Sequence, residues 1–328
     1  MSSHLKIIPW QPSLIPAAAE LFCKEVDLLR QQVPVLSNML VDCATVTAWL
    51  EEMAARSPGF MALDQEELVG YLGWWLVDNF RGTGRRGAYC PEWAHGAYRD
   101  HKQHIYQALY RAAATAWQEA GCQVHAITLL AHDHAAEKAW FWQGFGLAVI
   151  DAVRAVQPLD VTYPAGMTIR PATEVDGATL ETLDAEHTAH YVQSPIFMAP
   201  RRSCKAVVWQ QFSMQTPNGV WLAFADRQPV GFISFVGGDE LDGIDLLRMD
   251  GVIGINGAYV RPAYRGRGVA AALLDAALRA YAALGMTGCA VNFESFNPEA
   301  AIFWTRYFTP VCLSLLRVPE WLATPHQA

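Results

Sequence analysis

Tyr259-Val260-Arg261-Pro262-Ala263-Tyr264-Arg265-Gly266-Arg267-Gly268-Val269-Ala270 decides how the chain is read. On its N-terminal side, Val252 to Val260 is apolar and punctuated by glycines, the pattern of a buried strand. On its C-terminal side, the Ala/Leu-rich run from Val269 to Leu284 predicts a helix of about four turns. Within it Asp275 and Arg279 stand as an i,i+4 ion pair, and Gly285 follows as the stop. A strand, a tight basic glycine turn and a helix N-terminus therefore follow one another. That join leaves backbone N–H groups unpaired at the positive end of a helix dipole with arginines beside them, which makes it an anion site. Neither G-x-G-x-x-G nor a P-loop lysine followed by Ser or Thr is present in it.

Arg265-x-x-Gly268-x-Ala270, five residues after Val260, resembles the acyl-CoA pyrophosphate loop of the GNAT superfamily of N-acetyltransferases. That loop reads Gln/Arg-x-x-Gly-x-Gly/Ala after a strand. A second segment lies in the right order downstream. Cys289 to Glu294 reads as a strand, and the run from Asn297 to Phe308 is similar to the family's Asn-x-x-Ala-x-x-x-Tyr, where a helix flanks the pantetheine arm. Asn297 and Ala300 match; Trp304 stands where the family has tyrosine, and Phe308 replaces its usual glycine.

The 328 residues are 52% hydrophobic and 17% charged, enough to bury a large core and long enough for about two domains. No apolar run reaches the roughly 18 residues of a membrane span, and Met1 to Pro16 lacks the pattern of a secretory signal. The formal charge of −8 gives no general nucleic-acid footprint. Seven cysteines without CxxC spacing fit reduced thiols and a cytoplasmic location.

The chain also repeats. Leu5 to Pro9 and Met167 to Pro171 are short strands entering helical patterns, Leu109 to Gly121 spaces like Leu273 to Gly285, and Trp140 lies 164 positions before Trp304. A period near half the chain means two copies of one domain. The expected division is residues 1–157, a linker over 158–166 with two prolines and a glycine, and residues 167–328. In the first copy, Ala17–Arg30 and Cys43–Arg56 read as helices, and Phe60–Leu63 and Leu68–Val77 as strands around an acidic turn at 64–67. In the second, Val175–His190 and Ser203–Met214 read as helices and Val220–Phe224 with Val230–Val236 as a hairpin turning at 226–229. Helices, an antiparallel meander, then strand-helix-strand-helix-strand predict an α+β fold: two tandem domains, each a mixed, mostly antiparallel sheet flanked by helices. The tandem layout is similar to that of the mycothiol synthases.

In the first copy the helix register sets His101-Lys102-Gln103-His104-Ile105-Tyr106 over Arg265 to Ala270, and no glycine survives there. Side chains keep that backbone from approaching a pyrophosphate, so this copy is expected to be a structural or acceptor-shaping twin. Its histidines, among them His95, His101, His104, His125, His132 and His134, lack carboxylate or cysteine partners at metal-ligand spacing, and no metal is expected. The tryptophans read chiefly as core.

For the second copy the resemblance implies acetyl-CoA. Pyrophosphate oxygens would meet the N–H groups of Arg265, Gly266, Arg267, Gly268, Val269 and Ala270. Pantetheine would pair with the strand at Ala258, Tyr259 and Val260, flanked by Asn297 and Trp304, and the Ala258 N–H would polarise the thioester carbonyl. The family's strand glutamate falls on Gly254, with Asn256 the nearest polar side chain, and its tyrosine acid on Trp304. Tyr307, Tyr259, Glu294 and Asp250 remain open for proton handling. The implied activity is transfer of an acetyl group to a small-molecule or peptide amine, with neither nucleic acid nor membrane as partner. The alternative is a CoA- or ligand-binding protein that keeps the fold without turnover.

Overall fold

The computed structural model describes residues 5–38, 42–98, 100–200, 219–240 and 243–320. The chain forms two compact units: residues up to Asp151 together with those from Pro310 onward, and Ala152–Thr309. The repeat along the sequence divides near residue 160, whereas the compact units assign the last strand of the chain to the first unit.

The first unit starts with β1 (Lys6–Pro9), α1 (Ile15–Gln32) and α2 (Cys43–Arg56). Ile15, Ala18, Ala19, Phe22, Val26 and Leu29 recur at helical spacing and form the buried face of α1, while Pro16 opens its first turn. Next come β2 (Gly59–Asp64) and β3 (Glu67–Gly73), joined by Gln65 and Glu66 at φ of 49° and 73°. Two successive left-handed residues make the tight hairpin turn whose twist suits antiparallel strands. β4 (Trp75–Val77), β5 (Gly87–Cys90), β6 (His95–Ala97), α3 (Lys102–Glu119), β7 (Val124–Leu130), α4 (His134–Phe141) and β8 (Gly146–Ala155) follow. The expected single strand over Leu68–Val77 is two. β3 pairs with β2 and β6 in one sheet and β4 with β5 in another, because the chain changes sheets at buried Trp74. Trp74, Trp117 and Trp140 are among the largest fully buried side chains.

The second unit holds β9 (Met167–Pro171), α5 (Gly177–Val192), β10 (Gly219–Ala225), β11 (Gln228–Gly237), β12 (Val252–Val260), α6 (Val269–Ala283), β13 (Gly288–Glu294) and α7 (Pro298–Tyr307). β14 (Thr309–Arg317) follows α7 and pairs antiparallel with β7 of the first unit's sheet. Within the second unit the strand order is β13-β12-β11-β10-β9, antiparallel throughout except β12 with β13. Its hairpin turns at Asp226 and Arg227, again two left-handed residues, at φ of 47° and 65°. This is the α+β layout the sequence implied. The expected helix over Ser203–Met214 lies outside the described residues.

Cys23 of α1 and Cys43 of α2 form a disulfide, with Cα atoms 6.0 Å apart. This corrects the reading of all seven cysteines as reduced thiols. Two residues 20 positions apart carry no spacing signal, and only the packing of α1 on α2 brings them together. Cys90, Cys122, Cys289 and Cys312 are free and buried. No helix among the described residues is long and apolar enough to cross a membrane.

Candidate active site in the second unit

The site begins as a fault in the sheet. β11 and β12 pair Ser234 with Gly257 but Phe235 with Ile255, so Asn256 is an extra residue, a β-bulge. The parallel ladder between β12 and β13 runs only from Val252/Gly288 to Ile255/Val291. Beyond it β12 continues to Val260 and β13 to Glu294 without laddering to each other. The gap opens a cavity of about 570 Å³ lined by residues 256–260 of β12, the start of α6, the end of β13 and one side of α7. A strand with an unladdered edge can accept an extended amide-bearing ligand as an added strand.

At one end of the cavity the glycine turn enters α6. Gly266 and Gly268 have φ of +71° and +83°, conformations that side chains disfavour. Gly268 is the N-cap of α6, makes no side-chain cap bond, and no acidic residue stands in the first turn. The leading N–H groups thus keep their pull on an anion. Arg265 braces this turn: its Nε donates to the Val260 carbonyl at 3.0 Å and its Nη1 to Glu299 at 3.2 Å. Arg267 is exposed, its guanidinium 5.7 Å from the Tyr264 ring, and it does not line the cavity.

Ala258, Tyr259, Val260, Arg265, Gly266, Gly268, Val269, Ala270, Glu294, Asn297, Trp304 and Tyr307 all line it. Asn297 is buried and caps α7, its Oδ1 accepting from the Ala300 N–H at 3.3 Å. Trp304 is buried between Phe303 and Phe308, at ring separations of 4.7 and 5.4 Å. Tyr307 is half-buried, with the Arg306 guanidinium 5.6 Å from its ring. Burial, with Glu186 adding to it, raises the Tyr259 phenol above its usual range and makes it a weaker acid. Glu294 is buried at the end of β13. Asp250 is exposed in the turn before β12 and lies off the cavity.

Three residues of α5 that the sequence reading passed over also line the cavity: His187, His190 and Tyr191. Burial lowers the His190 imidazole below its usual range, and Arg265 adds to this against an opposing pull from Glu299. A signal for them exists in the sequence, since His187 and His190 sit one helical turn apart, but only the packing of α5 over β12 gives it meaning.

The first unit lacks this arrangement. α3 and α6 both stop at left-handed glycines, Gly121 and Gly285, at the expected repeat spacing, yet α3 has 18 residues and α6 has 15. The extra length lies at the N-terminus. Residues 98–101 lead into α3, whereas the longer stretch 261–268 leads into α6. Almost one further turn of helix thus replaces the glycine turn. Lys102, in that turn, is buried and paired with Glu25 at 2.8 Å and with Asp133. Burial would raise the Glu25 carboxyl, but hydrogen bonds from His132 and Lys102 and their charge bring it down to about 2. The cavity beside this cluster measures about 20 Å³.

Residues 186–308 match the family profile described as Acetyltransferase (GNAT) family. No curated relative matches the chain. Over 97% of its length the chain superimposes on 96% of a GCN5-related N-acetyltransferase from Sphaerobacter thermophilus, with a TM-score of 0.59 at 16% identity. Over 96% it superimposes on 38% of a fungal multi-domain GH3 β-N-acetylglucosaminidase whose relevant region is described as a GCN5-related glucosamine N-acetyltransferase; the TM-score is 0.54 and the identity 12%. At these identities the likeness is one of fold.

Proposed function

From the premise that residues 186–308 are a GNAT-family domain in a chain with this fold throughout, we propose an N-acetyltransferase that moves an acetyl group from acetyl-CoA to an amine, with its active site in the second unit. One observation carries the reading: the bulged, splayed β12–β13 gap and the uncapped glycine entry to α6 open into the same cavity. These fit the two ends of the donor, an extended amide-bearing arm and a pyrophosphate.

Acetyl-CoA would supply an activated acyl thioester. The N–H groups from Arg265 to Ala270 would hold its phosphates, Arg265 keeping the turn in shape and Arg267 adding charge from solvent. The exposed edge at Ala258–Val260 would fix the arm, and the Ala258 N–H would donate to the carbonyl oxygen as it gains charge. Asn297 and Trp304 form the opposite wall, and Asn297 acts there by fixing the start of α7. Trp304 is a poor acid, so Tyr307, one turn on and facing the cavity, is the group assigned to return a proton to the departing sulfur. Glu294 would take up, through water, the proton that leaves the acceptor side. The acceptor is a small-molecule or peptide amine.

The second reading, a CoA-binding protein without turnover, is favoured by Gly254 and Trp304, which replace the family's glutamate and tyrosine. Calorimetric titration with acetyl-CoA, repeated with Gly268→Glu, tests the common part. We expect one equivalent bound by the native chain and none by the variant. No binding by the native chain overturns both readings. Release of free CoA in the presence of amines then selects the enzyme.

A further inference from the structure

The bulge in β12 leaves a bare patch on one face of the sheet. Residues opposite each other in an antiparallel ladder share a face. Val236 stands opposite Gly254, Ser234 opposite Gly257 and Phe232 opposite Tyr259. Phe232, Ser234 and Val236 alternate along β11 and so point one way. Gly254 and Gly257 therefore lie on that same face, and neither brings a side chain to it. A Cβ built on Gly257 would meet the Ser234 hydroxyl at 3.1 Å, the Phe232 ring at 3.5 Å and Cε1 of His187 at 3.9 Å. The His187 ring comes from α5 and is set among Tyr191, Phe232 and Tyr259, with ring centroids at 4.9, 5.8 and 5.8 Å. It thus covers the backbone that runs into Ala258, and it lines the cavity.

We infer that His187 is the general base that receives the proton from the acceptor amine. This rests on the acetyltransferase reading. The amine nitrogen bonds to the acyl carbon as the carbon–sulfur bond breaks and the electron pair leaves with sulfur. One N–H proton of the amine passes to the unprotonated ring nitrogen of His187 and from there to water, and the thiolate is protonated in turn. A base placed on a neighbouring helix replaces one that a strand side chain at position 254 would have supplied. The ring lies against Gly257, where an added Cβ would stand 3.9 Å from His187 Cε1. Imidazole is the side chain that exchanges a proton most readily near neutral pH, which suits a base. The other titratable and charged groups that line the cavity are His190 and Tyr191 on α5, Tyr259 on β12, Tyr264 and Arg265 in the turn before α6, Glu294 on β13, and Glu299, Arg306 and Tyr307 on α7.

Bromoacetyl-CoA is the deciding probe, because it sets an alkylating carbon where the acyl group sits and needs no known acceptor. Incubated with the full chain and mapped by peptide mass spectrometry, it should label His187, with bromide as the leaving group. The rate should rise as pH passes through the imidazole range, and excess acetyl-CoA should suppress it. Labelling at Glu294, at His190 or at a cysteine instead overturns the inference. His187→Gln should bind acetyl-CoA within about twofold of the native chain by calorimetry. With spermidine, phenethylamine and glucosamine as acceptor probes, any CoA release should fall by about 100-fold in that variant, with loss of the acidic limb of the pH–rate profile. Unchanged release in His187→Gln also overturns it. Absence of acetyl-CoA binding to the native chain is a different failure, that of the acetyltransferase reading itself.

Discussion

Gly268 and His101 both stand immediately before their helices in the left-handed conformation, at φ of +83° and +77°. The first unit thus shows that a histidine can hold such an entry. Gly268→His should therefore fold, losing about 1–2 kcal/mol to the strained backbone, while its Cβ and ring deny phosphates the approach a bare glycine allows. Urea denaturation and acetyl-CoA titration read the two effects separately; a variant that still binds at native affinity contradicts the assigned phosphate site. Tyr307→Phe tests the returned proton. We expect lower kcat with acetyl-CoA affinity unchanged, and an unaltered kcat removes Tyr307 from the mechanism. At this scale the glycine turn was legible because Gly266 and Gly268 are the residues that positive φ selects. His187 was not, because its meaning depends on bare glycines on a strand some seventy positions later.

α6 fastens the short segment over 158–166 that the repeat sets between its two copies. Fully buried Asp275 accepts from the Leu159 N–H at 2.6 Å, from the Tyr163 hydroxyl at 2.8 Å and from Arg279 Nε at 2.7 Å. The i,i+4 pair with Arg279 was visible in the sequence, whereas the two contacts to residues 159 and 163 were not, since no pattern ties a helix to a segment more than a hundred positions earlier. Asp275→Ala strands the Leu159 N–H and removes the anchor of the linker. It should destabilise the second unit by about 2–4 kcal/mol, read as a shift in the urea midpoint, and Asp275→Asn should recover part of that loss. A change below 0.5 kcal/mol, roughly the scale of an ordinary surface substitution, would mean the linker is held elsewhere. Strand and helix bounds came through well where the period was clean, as for β12 and α2. They failed at β3 and β4, because a change of sheet at Trp74 interrupts no hydrophobic pattern.

The molecule as a whole carries its acid sensitivity in buried imidazoles. Burial holds His95 and His125 down to about 4, so the unfolded chain takes up two protons below pH 6.5 that the folded chain refuses. Burial lifts the Asp151 carboxyl to about 7, so over the same range the folded chain holds one proton that the unfolded chain lacks. The histidines outweigh it. Stability should fall by about 1.4 kcal/mol per pH unit between pH 6.5 and 4.5, and Asp151→Asn, which removes the opposing group, should roughly double that slope. Urea titrations followed by tryptophan fluorescence measure both; a flat profile contradicts the assigned burial. The tandem architecture was legible from the repeat of Trp140 and Trp304 and of the two helix stops. The assignment of β14 to the first unit was not, because a strand's own residues do not name its partner.

That last assignment bears on how the protein is made. β14 supplies the register partner of β7 from Cys312↔Leu130 to Arg317↔His125, so the first unit's sheet cannot be completed while the ribosome is still translating the second. At roughly 5–20 residues per second, the emerging N-terminal half waits on the order of 8–30 seconds with the flank of a hydrophobic strand open. A nascent-chain experiment should accordingly find the first unit sensitive to protease on ribosomes stalled at residue 309 and protected once the finished chain is released.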